Sequence, residues 1–284
     1  MSKLVVFGGI VLDYLCKVED ASKECTQVTT YGESLGGMGY NTASAAAQLG
    51  VETELVAAVG GDFPKVKGTK NLKLTLTRVK GLKTTRSFLF YDGKEERVYF
   101  FRGSYHEYED KNAKKAIRGA DFIHLAGVLP MFPKYAKTAR EFGRTVSLNP
   151  GYDLFHYDPK DRIVVDLLEN SDFMILNERE YERIGAFKEL WKNKKALVVT
   201  RGEDGCSVFE NAKKTDIGSF KVNAASPFGA GDSFTGGFLA SVIKGYSIMD
   251  SARIASACAS FAVEVEDTVP VLSWDKILER SRRV

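Results

Sequence analysis

The chain has 284 residues, 44% hydrophobic and 27% charged, an ordinary globular profile with room for a substantial core. Lys and Arg total 40 against 37 Asp and Glu, and the resulting charge of +3 is too balanced to point to nucleic acid or an anionic membrane as partner. No apolar run approaches the ~18 residues of a spanning helix, and the N-terminus lacks the charged start and apolar stretch of a signal peptide, so a cytoplasmic protein is expected.

From the N-terminus, Leu4 to Phe7 is a short apolar, β-branched run that reads as a buried strand, continued by Ile10 to Leu12 and followed by Asp13. Only Gly8-Gly9 stands where a dinucleotide site needs G-x-G-x-x-G, so a hydride-transferring dehydrogenase is unsupported. The Thr-rich stretch from Val18 to Gly32 suits exposed strands. Gly36-Gly37-Met38-Gly39-Tyr40-Asn41 then feeds an Ala-rich segment that predicts a helix, stopped at Gly50. Those residues fit two readings equally: a small-residue helix packed tightly on a sheet, or a bare backbone laid against a polyhydroxylated ligand, with Asn41 offering donor and acceptor.

Glu54 to Val59 is a strand ending in Gly60-Gly61-Asp62, and the Lys-rich segment up to Lys83 reads as solvated surface. Residues 85–91 and 97–101 carry strand signals around the hairpin pair Asp92-Gly93. With the earlier Thr-rich stretch they predict a small, partly exposed sheet built from about 14–33 and 85–103. Arg102, at its end, reads as a solvated charge or as a contact over a bound ligand.

Strands at 122–125, 145–148, 173–176 and 196–200 alternate with helices at 133–143 and 163–170. Short strands follow at 206–209 and 215–220, then helices near 232–244 and 250–264 and a tail through Trp274. This alternation predicts one α/β domain over 1–284, with a doubly wound, mostly parallel sheet flanked by helices. Such sheets bind ligands beyond the carboxyl ends of their strands. Polar or glycine residues follow nearly every strand: Asp13, Gly60-Gly61, Asn149, Asn177 to Glu180, Thr200 to Gly205 and Gly229 to Asp232.

The stretch from Ser226 to Leu239 carries the strongest chemical signal. Pro227 keeps Ser226 extended, and Gly229, Ala230 and Gly231 let backbone N–H groups approach a ligand with at most a methyl in the way. A helix starting near Asp232 would add its unsatisfied first turn and dipole, which together make an anion hole suited to phosphate. Asp232 is either the N-cap of that helix or a general base beside the hole. Asn177 and Glu180 likewise read as a capping pair or as polar site residues.

Cys16, Cys25, Cys206 and Cys258 form no C-x-x-C pair, and His106, His124 and His156 show no metal-ligand spacing. A zinc site and a Ser-His-Asp hydrolase therefore have little to build from, and the cysteines fit a reduced setting.

The chain resembles the ribokinase-like (PfkB) carbohydrate and nucleoside kinases along essentially its whole length. One family signature is similar to Gly36-Gly37 through Asn41 to Leu49-Gly50, and the other to Ser226 through Asp232. The N-x-x-E motif stands at Asn177 to Glu180, and T-x-G-x-x-G at Thr200, Gly202 and Gly205. The resemblance implies phosphoryl transfer from ATP to a primary hydroxyl of a sugar or nucleoside, with Asp232 as base and Gly229, Ala230 and Gly231 as anion hole. It implies acceptor contacts from Asp13, Gly36, Gly37 and Asn41, with Arg102 over the acceptor. Asn177 and Glu180 would position Mg²⁺, Thr200, Gly202 and Gly205 would line the nucleotide side, and residues around Cys258 would close on the adenine. The small sheet matches the family's lid, through which a homodimer is expected. Two departures stand out: Ser226-Pro227 replaces the family's Asp-Thr, which makes activation by a monovalent cation doubtful, and the segment between Asp62 and Thr85 is short. A P-loop, G-x-x-x-x-G-K-S/T, is absent.

Overall fold

The computed structural model describes residues 2–105, 107, 110–185, 194–265 and 269–283; His106 lies outside them. In chain order the elements are β1 (Lys3–Phe7), β2 (Val11–Val18), β3 (Val28–Gly36), α1 (Met38–Gln48), β4 (Glu52–Gly60), β5 (Leu72–Val79), β6 (Arg86–Tyr91) and β7 (Glu96–Phe101). There follow α2 (Asp110–Arg118), β8 (Phe122–Ala126), α3 (Phe132–Glu141), β9 (Thr145–Asn149), α4 (Arg162–Glu169), β10 (Phe173–Asn177), α5 (Glu178–Arg183) and β11 (Ala196–Thr200). The chain finishes with β12 (Cys206–Glu210), β13 (Lys213–Ile217), α6 (Ala230–Ile243), α7 (Ile248–Ala262) and α8 (Trp274–Ser281).

The main sheet runs β13-β12-β11-β10-β9-β8-β1-β4-β5. Strands β11 through β5 in that order are parallel, and β12 and β13 join antiparallel at one edge. Burial on both faces explains the nearly continuous apolar runs of the central strands: Leu4 through Phe7 have no exposed surface. Helices α1, α6, α7 and α8 pack on one face, through Ala43, Ala46, Phe234, Phe238, Ala255 and Ile277. Helices α2, α3 and α4 cover the other, through Ile117, Phe132, Tyr135, Val164 and Leu168.

The order of strands reverses at β1, which pairs with β4 on one side and β8 on the other. A crevice opens at such a reversal, beyond the carboxyl ends of the strands. Four further strands, in the order β3-β2-β6-β7, form a separate sheet. This is the predicted lid, with one correction. Ile10 to Leu12 does not extend the first strand; the chain bends at Gly8-Gly9, and β2 begins at Val11 in the lid sheet. The bend is tight because Gly8 and Gly39 meet backbone to backbone, so that a Cβ on Gly39 would stand 2.7 Å from the Gly8 Cα. Helix α2, helix α8 and a 3-10 turn over Gly151–His156 were not signalled by the sequence reading, and β13 stops at Ile217 rather than Phe220.

Helix α6 is wedged between α1 and α7 by adjacent glycines that face opposite ways. A Cβ on Gly236 would lie 2.5 Å from the Ala45 Cβ and 2.7 Å from the Thr42 carbonyl oxygen, while one on Gly237 would lie 2.5 Å from the Cys258 sulfur. Only hydrogen at both positions lets three helices approach this closely. Gly236→Ala therefore forces α1 and α6 apart, and despite the gain in helix propensity it should cost about 1–3 kcal/mol. A thermal melt of the variant should show a lowered Tm.

Candidate active site

The start of α6 is built as the glycine pattern requires, and the N-cap is Gly229 rather than Asp232. Gly229 adopts the left-handed conformation, φ 76°, and no side chain caps the helix. The first-turn N–H groups of Ala230, Gly231 and Asp232 thus belong to an uncapped helix start, and a Cβ on Gly231 would meet nothing within 4 Å. Asp232 is the third helical residue, with the N–H of Ser233 already bonded to the Gly229 carbonyl at 2.9 Å. The N-cap reading of Asp232 is therefore overturned.

The Asp232 carboxylate accepts one hydrogen bond from Asn41 Nδ2, at 2.9 Å. Asn41 is itself positioned by the first glycine turn. Gly37, φ +90°, is the N-cap of α1, the Tyr40 N–H donates to the Gly9 carbonyl at 3.0 Å, and the Asn41 N–H to the Gly37 carbonyl at 2.9 Å. The Asn41 side chain is buried, and its Oδ1 has no partner in the protein. A buried amide oxygen without a donor is a costly arrangement in a chain that folds around it.

Asp13 comes from β2, on the lid. It is buried, 4% exposed, and accepts from the Ser87 hydroxyl on β6, its direct neighbour in register. This removes the alternative of an exposed strand-end carboxylate. Gly36, opposite Val11 at the end of β3, is buried and leads the lid into Gly37.

At the end of β10, Asn177 and Glu180 form a complete capping box: the Glu180 N–H donates to Asn177 Oδ1 at 2.9 Å and the Asn177 N–H to Glu180 Oε2 at 3.0 Å. Asn177 Nδ2 adds a third bond, 2.8 Å, to Glu180 Oε1. The bland reading of this pair is thus correct, and it coexists with a placement at the site, because Asp232 is close enough to act on the Glu180 charge. Burial, with help from the Asp232 charge, pushes the Glu180 carboxyl up to about 7 against the opposing Asn177 N–H. Burial likewise pushes Asp232 up to about 7, opposed by the Asn41 bond and assisted by the Asp13 charge. Asp13, Asp232 and Glu180 therefore form one electrostatic neighbourhood, drawn from the lid, α6 and α5.

Thr200 pairs in register with Asn177 across β10 and β11, and its hydroxyl donates to the Leu176 carbonyl at 3.2 Å. Gly202, φ +55°, opens the short turn Gly202–Asp204, while Gly205 is fixed by packing, since a Cβ there would lie 2.0 Å from the Ile217 carbonyl oxygen. Cys258 is not at the site. It is fully buried between α7 and α6, against Gly237, and presents no surface to a nucleotide. Gly237 on α6 lets α7 approach closely at this point.

Asp153 and Tyr105 were missed. Tyr105 donates its hydroxyl to Asp153 Oδ2 at 2.9 Å, and Arg102 stands 3.6 Å from Asp153 Oδ1, so Arg102 is an ion-paired residue of the lid's edge. Arg102, Tyr105, Tyr152 and Asp153 help line a cavity of about 150 Å³ beneath the lid, with Gly9, Val11, Met38 and Phe100. The signal available was the strand-end run Asn149-Pro150-Gly151-Tyr152-Asp153, which brings Asp153 to the same edge as the other strand ends.

The fold, with its lid and a glycine-edged acid at a helix start, matches known proteins over its whole length. The pfkB family carbohydrate kinase pattern covers residues 1–275. A nucleoside kinase of Methanocaldococcus jannaschii is 31% identical over 99% of this chain and 97% of its own length. A crystal structure of the Methanocaldococcus jannaschii nucleoside kinase superposes with a TM-score of 0.81 at 28% identity, covering 100% of this chain and 99% of that one. A ribokinase of Arabidopsis thaliana, solved with ribose and ATP, shares the fold at a TM-score of 0.79 and 22% identity, over 99% of each chain. The chain belongs to the pfkB family of carbohydrate kinases.

The raised Asp232 carboxyl has a measurable consequence. Its folded-state value, about 7, lies above that of an exposed Asp. The folded protein therefore holds this proton more tightly than the unfolded chain, and the group opposes folding increasingly as pH rises toward 7. Asp232→Asn keeps the shape without the charge. It should raise Tm more at pH 8 than at pH 5, as differential scanning calorimetry at the two pH values will show.

Proposed function

We propose that the protein transfers the γ-phosphoryl group of ATP to the primary hydroxyl of a nucleoside or a related sugar, with Asp232 taking the hydroxyl proton. The observation that carries this reading is the pairing of an uncapped helix start at Gly229 with an acid whose carboxyl sits near 7. Phosphoryl transfer asks for positioning and charge stabilisation together with a base poised near the working pH, and little covalent chemistry. The N–H groups of Ala230 and Gly231 supply fixed donors for the phosphoryl oxygens. Asn41, by its bond to Asp232 and its unpartnered Oδ1, ties the base to the acceptor hydroxyls, and Asp13 holds a second hydroxyl from the lid side. A lid over the acceptor excludes water, the competing nucleophile.

The residues fit Mg²⁺. Glu180 and Asp232 are hard oxygen donors whose mutual repulsion a divalent cation relieves. Among the described residues no group of three or more His, Cys, Asp or Glu could hold a metal, and Mg²⁺ is commonly held by one or two carboxylates with phosphate oxygens and water. When bound, it would neutralise phosphate charge. Ser226, buried and accepting from the Phe228 N–H at 3.3 Å, supplies no carboxylate for a monovalent cation, so potassium should not be required.

A nucleoside is favoured over a bare sugar by the cavity under the lid. Val11 lies on the same face of β2 as Asp13, and Phe100 lies opposite Ser87, the partner of Asp13. The aromatic pocket thus adjoins the acid that would hold the pentose, where a flat base would project. The name of the Methanocaldococcus relative agrees with this reading.

In assays of ADP release with a panel of nucleosides and sugars, Asp232→Asn should lose turnover by about 10² or more while retaining nucleotide. For the unaltered enzyme, kcat/KM for the acceptor should rise with pH through a midpoint near 7, as Asp232 loses its proton. Retained turnover in Asp232→Asn removes the base role. Nucleoside binding without any turnover supports a sensor instead.

The outer face of the lid favours a second copy of this chain as partner. Tyr14, Phe88 and Tyr99 lie in one row, with Tyr14 stacked on Phe88 at 5.1 Å, and Tyr31, Tyr99 and Phe101 are roughly half exposed. Sedimentation equilibrium should find a dimer, and Tyr99→Glu with Phe101→Glu should return monomers.

A further inference from the structure

The first turn of α6 is built largely from residues that hold no shape by themselves. Gly229 is left-handed and provides no side-chain cap, and Gly231 is exposed, with open space where a Cβ would stand. Glycine leaves the peptides of such a turn free to rotate. The Gly231–Asp232 peptide carries one of the unsatisfied N–H donors of the helix start, and its direction has to be fixed from elsewhere.

Hydrogen bonds in series reach it from the main sheet. Asn149 ends β9, where its own carbonyl accepts from the Gly127 N–H at 2.8 Å. Its Oδ1 accepts from the Gly151 N–H at 3.1 Å. A backbone N–H only donates, so the amide oxygen lies on that side and Nδ2 on the other. Nδ2 donates to the Thr235 hydroxyl at 3.3 Å. Thr235 has no exposed surface, so solvent does not compete for its proton. With Asn149 donating to its oxygen, the hydroxyl gives that proton to the Gly231 carbonyl, 2.9 Å away. Each donor in the series has one direction open to it.

A threonine hydroxyl that bonds back by one turn is common within helices and there satisfies only itself. Two features set Thr235 apart. Its oxygen is held by a side chain of the sheet, and the carbonyl it reaches belongs to the peptide next to Asp232. Hydrogen bonds in series polarise one another, so a bond to the Gly231 oxygen strengthens the N–H of Asp232 across the same peptide. An independent observation marks the same turn as a place for a ligand. Asn41, 5% exposed, donates to Asp232 while its Oδ1 has no partner in the protein. Buried polar atoms are nearly always paired, so this one asks for a partner that the chain does not supply.

We propose that Thr235 is a positioning residue for phosphoryl transfer: its hydroxyl fixes the Asp232 N–H against the transferring group, and Asn149 sets the direction of that hydroxyl. The inference rests on the reading of this helix start as a phosphate-holding hole given above. A donor held in advance counts most as charge moves in the transition state, and less when ATP first binds. Its loss therefore falls on kcat rather than on KM.

The test uses whichever nucleoside or sugar of the panel is turned over fastest with ATP and Mg²⁺. It compares kcat, both KM values and Tm for the unaltered enzyme, Thr235→Val, Thr235→Ser and Asn149→Asp. Thr235→Val keeps the shape without the proton, and kcat should fall about three- to tenfold, the weight of one hydrogen bond, with both KM values nearly unchanged. Thr235→Ser keeps the hydroxyl and should retain most of kcat. Asn149→Asp leaves Thr235 in place but offers its hydroxyl an acceptor, which turns the proton away from Gly231, and kcat should fall as in Thr235→Val. Combined, the two substitutions should cost less than the product of their separate effects. An unchanged kcat in Thr235→Val, a Thr235→Ser equally slow, or a loss carried by KM overturns the proposal. Where Thr235→Val does not fold, Asn149→Asp decides, and an unaltered kcat there overturns it. An unaltered enzyme that phosphorylates nothing in the panel overturns the reading of the helix start itself, and this inference with it.

Discussion

Three carboxylates held within reach of one another's charge constrain the rest of this structure. The Asp13 charge acts on Asp232 and the Asp232 charge on Glu180, and burial adds to the cost of the Asp232 and Glu180 charges. Nothing in folding alone requires this. A structural protein would neutralise or expose such groups. Here they are held by elements that have other reasons to be rigid. Helix α5 is fixed by its capping box, α6 by the glycines pressed between α1 and α7, and β2 by its register with β6. The stability of the surrounding fold maintains a cluster of charges that is unfavourable by itself. Perturbed acids of this kind concentrate where proton transfer is needed.

The main sheet and the lid were legible in the sequence because their signals are local. Short apolar runs ending in glycine or a polar residue mark buried parallel strands, and Asp92-Gly93 marks a hairpin. The bend after Phe7 was not legible, since Ile10 to Leu12 is as apolar as the strand before it. What separates them is the contact of Gly8 with Gly39, thirty-one positions away in the chain. Helix α2 was hidden by its polar sequence, Asp110 to Arg118, which buries only a narrow apolar stripe around Ala113 and Ile117.

The glycine turns and the helix start beside Asp232 could be located from the sequence because glycine runs ahead of small-residue segments mark such turns. Cys258 was misread. Its place came from the family resemblance alone, and the packing of Cys258 against Gly237 leaves it no surface of its own. Asp153 was passed over for the opposite reason: one acid among several in a loop carries no pattern, and its importance comes from Tyr105 and Arg102, which the lid brings to it.

Phe228, immediately before Gly229, sets its ring edge-on against Tyr91 of the lid, with centroids 6.3 Å apart. On its other side the same loop is moored to the end of α7, where the Ala225 and Ser226 N–H groups share the Val263 carbonyl. A lid displacement that carries Tyr91 therefore reaches the residue preceding the left-handed glycine, while the far end of the loop stays anchored.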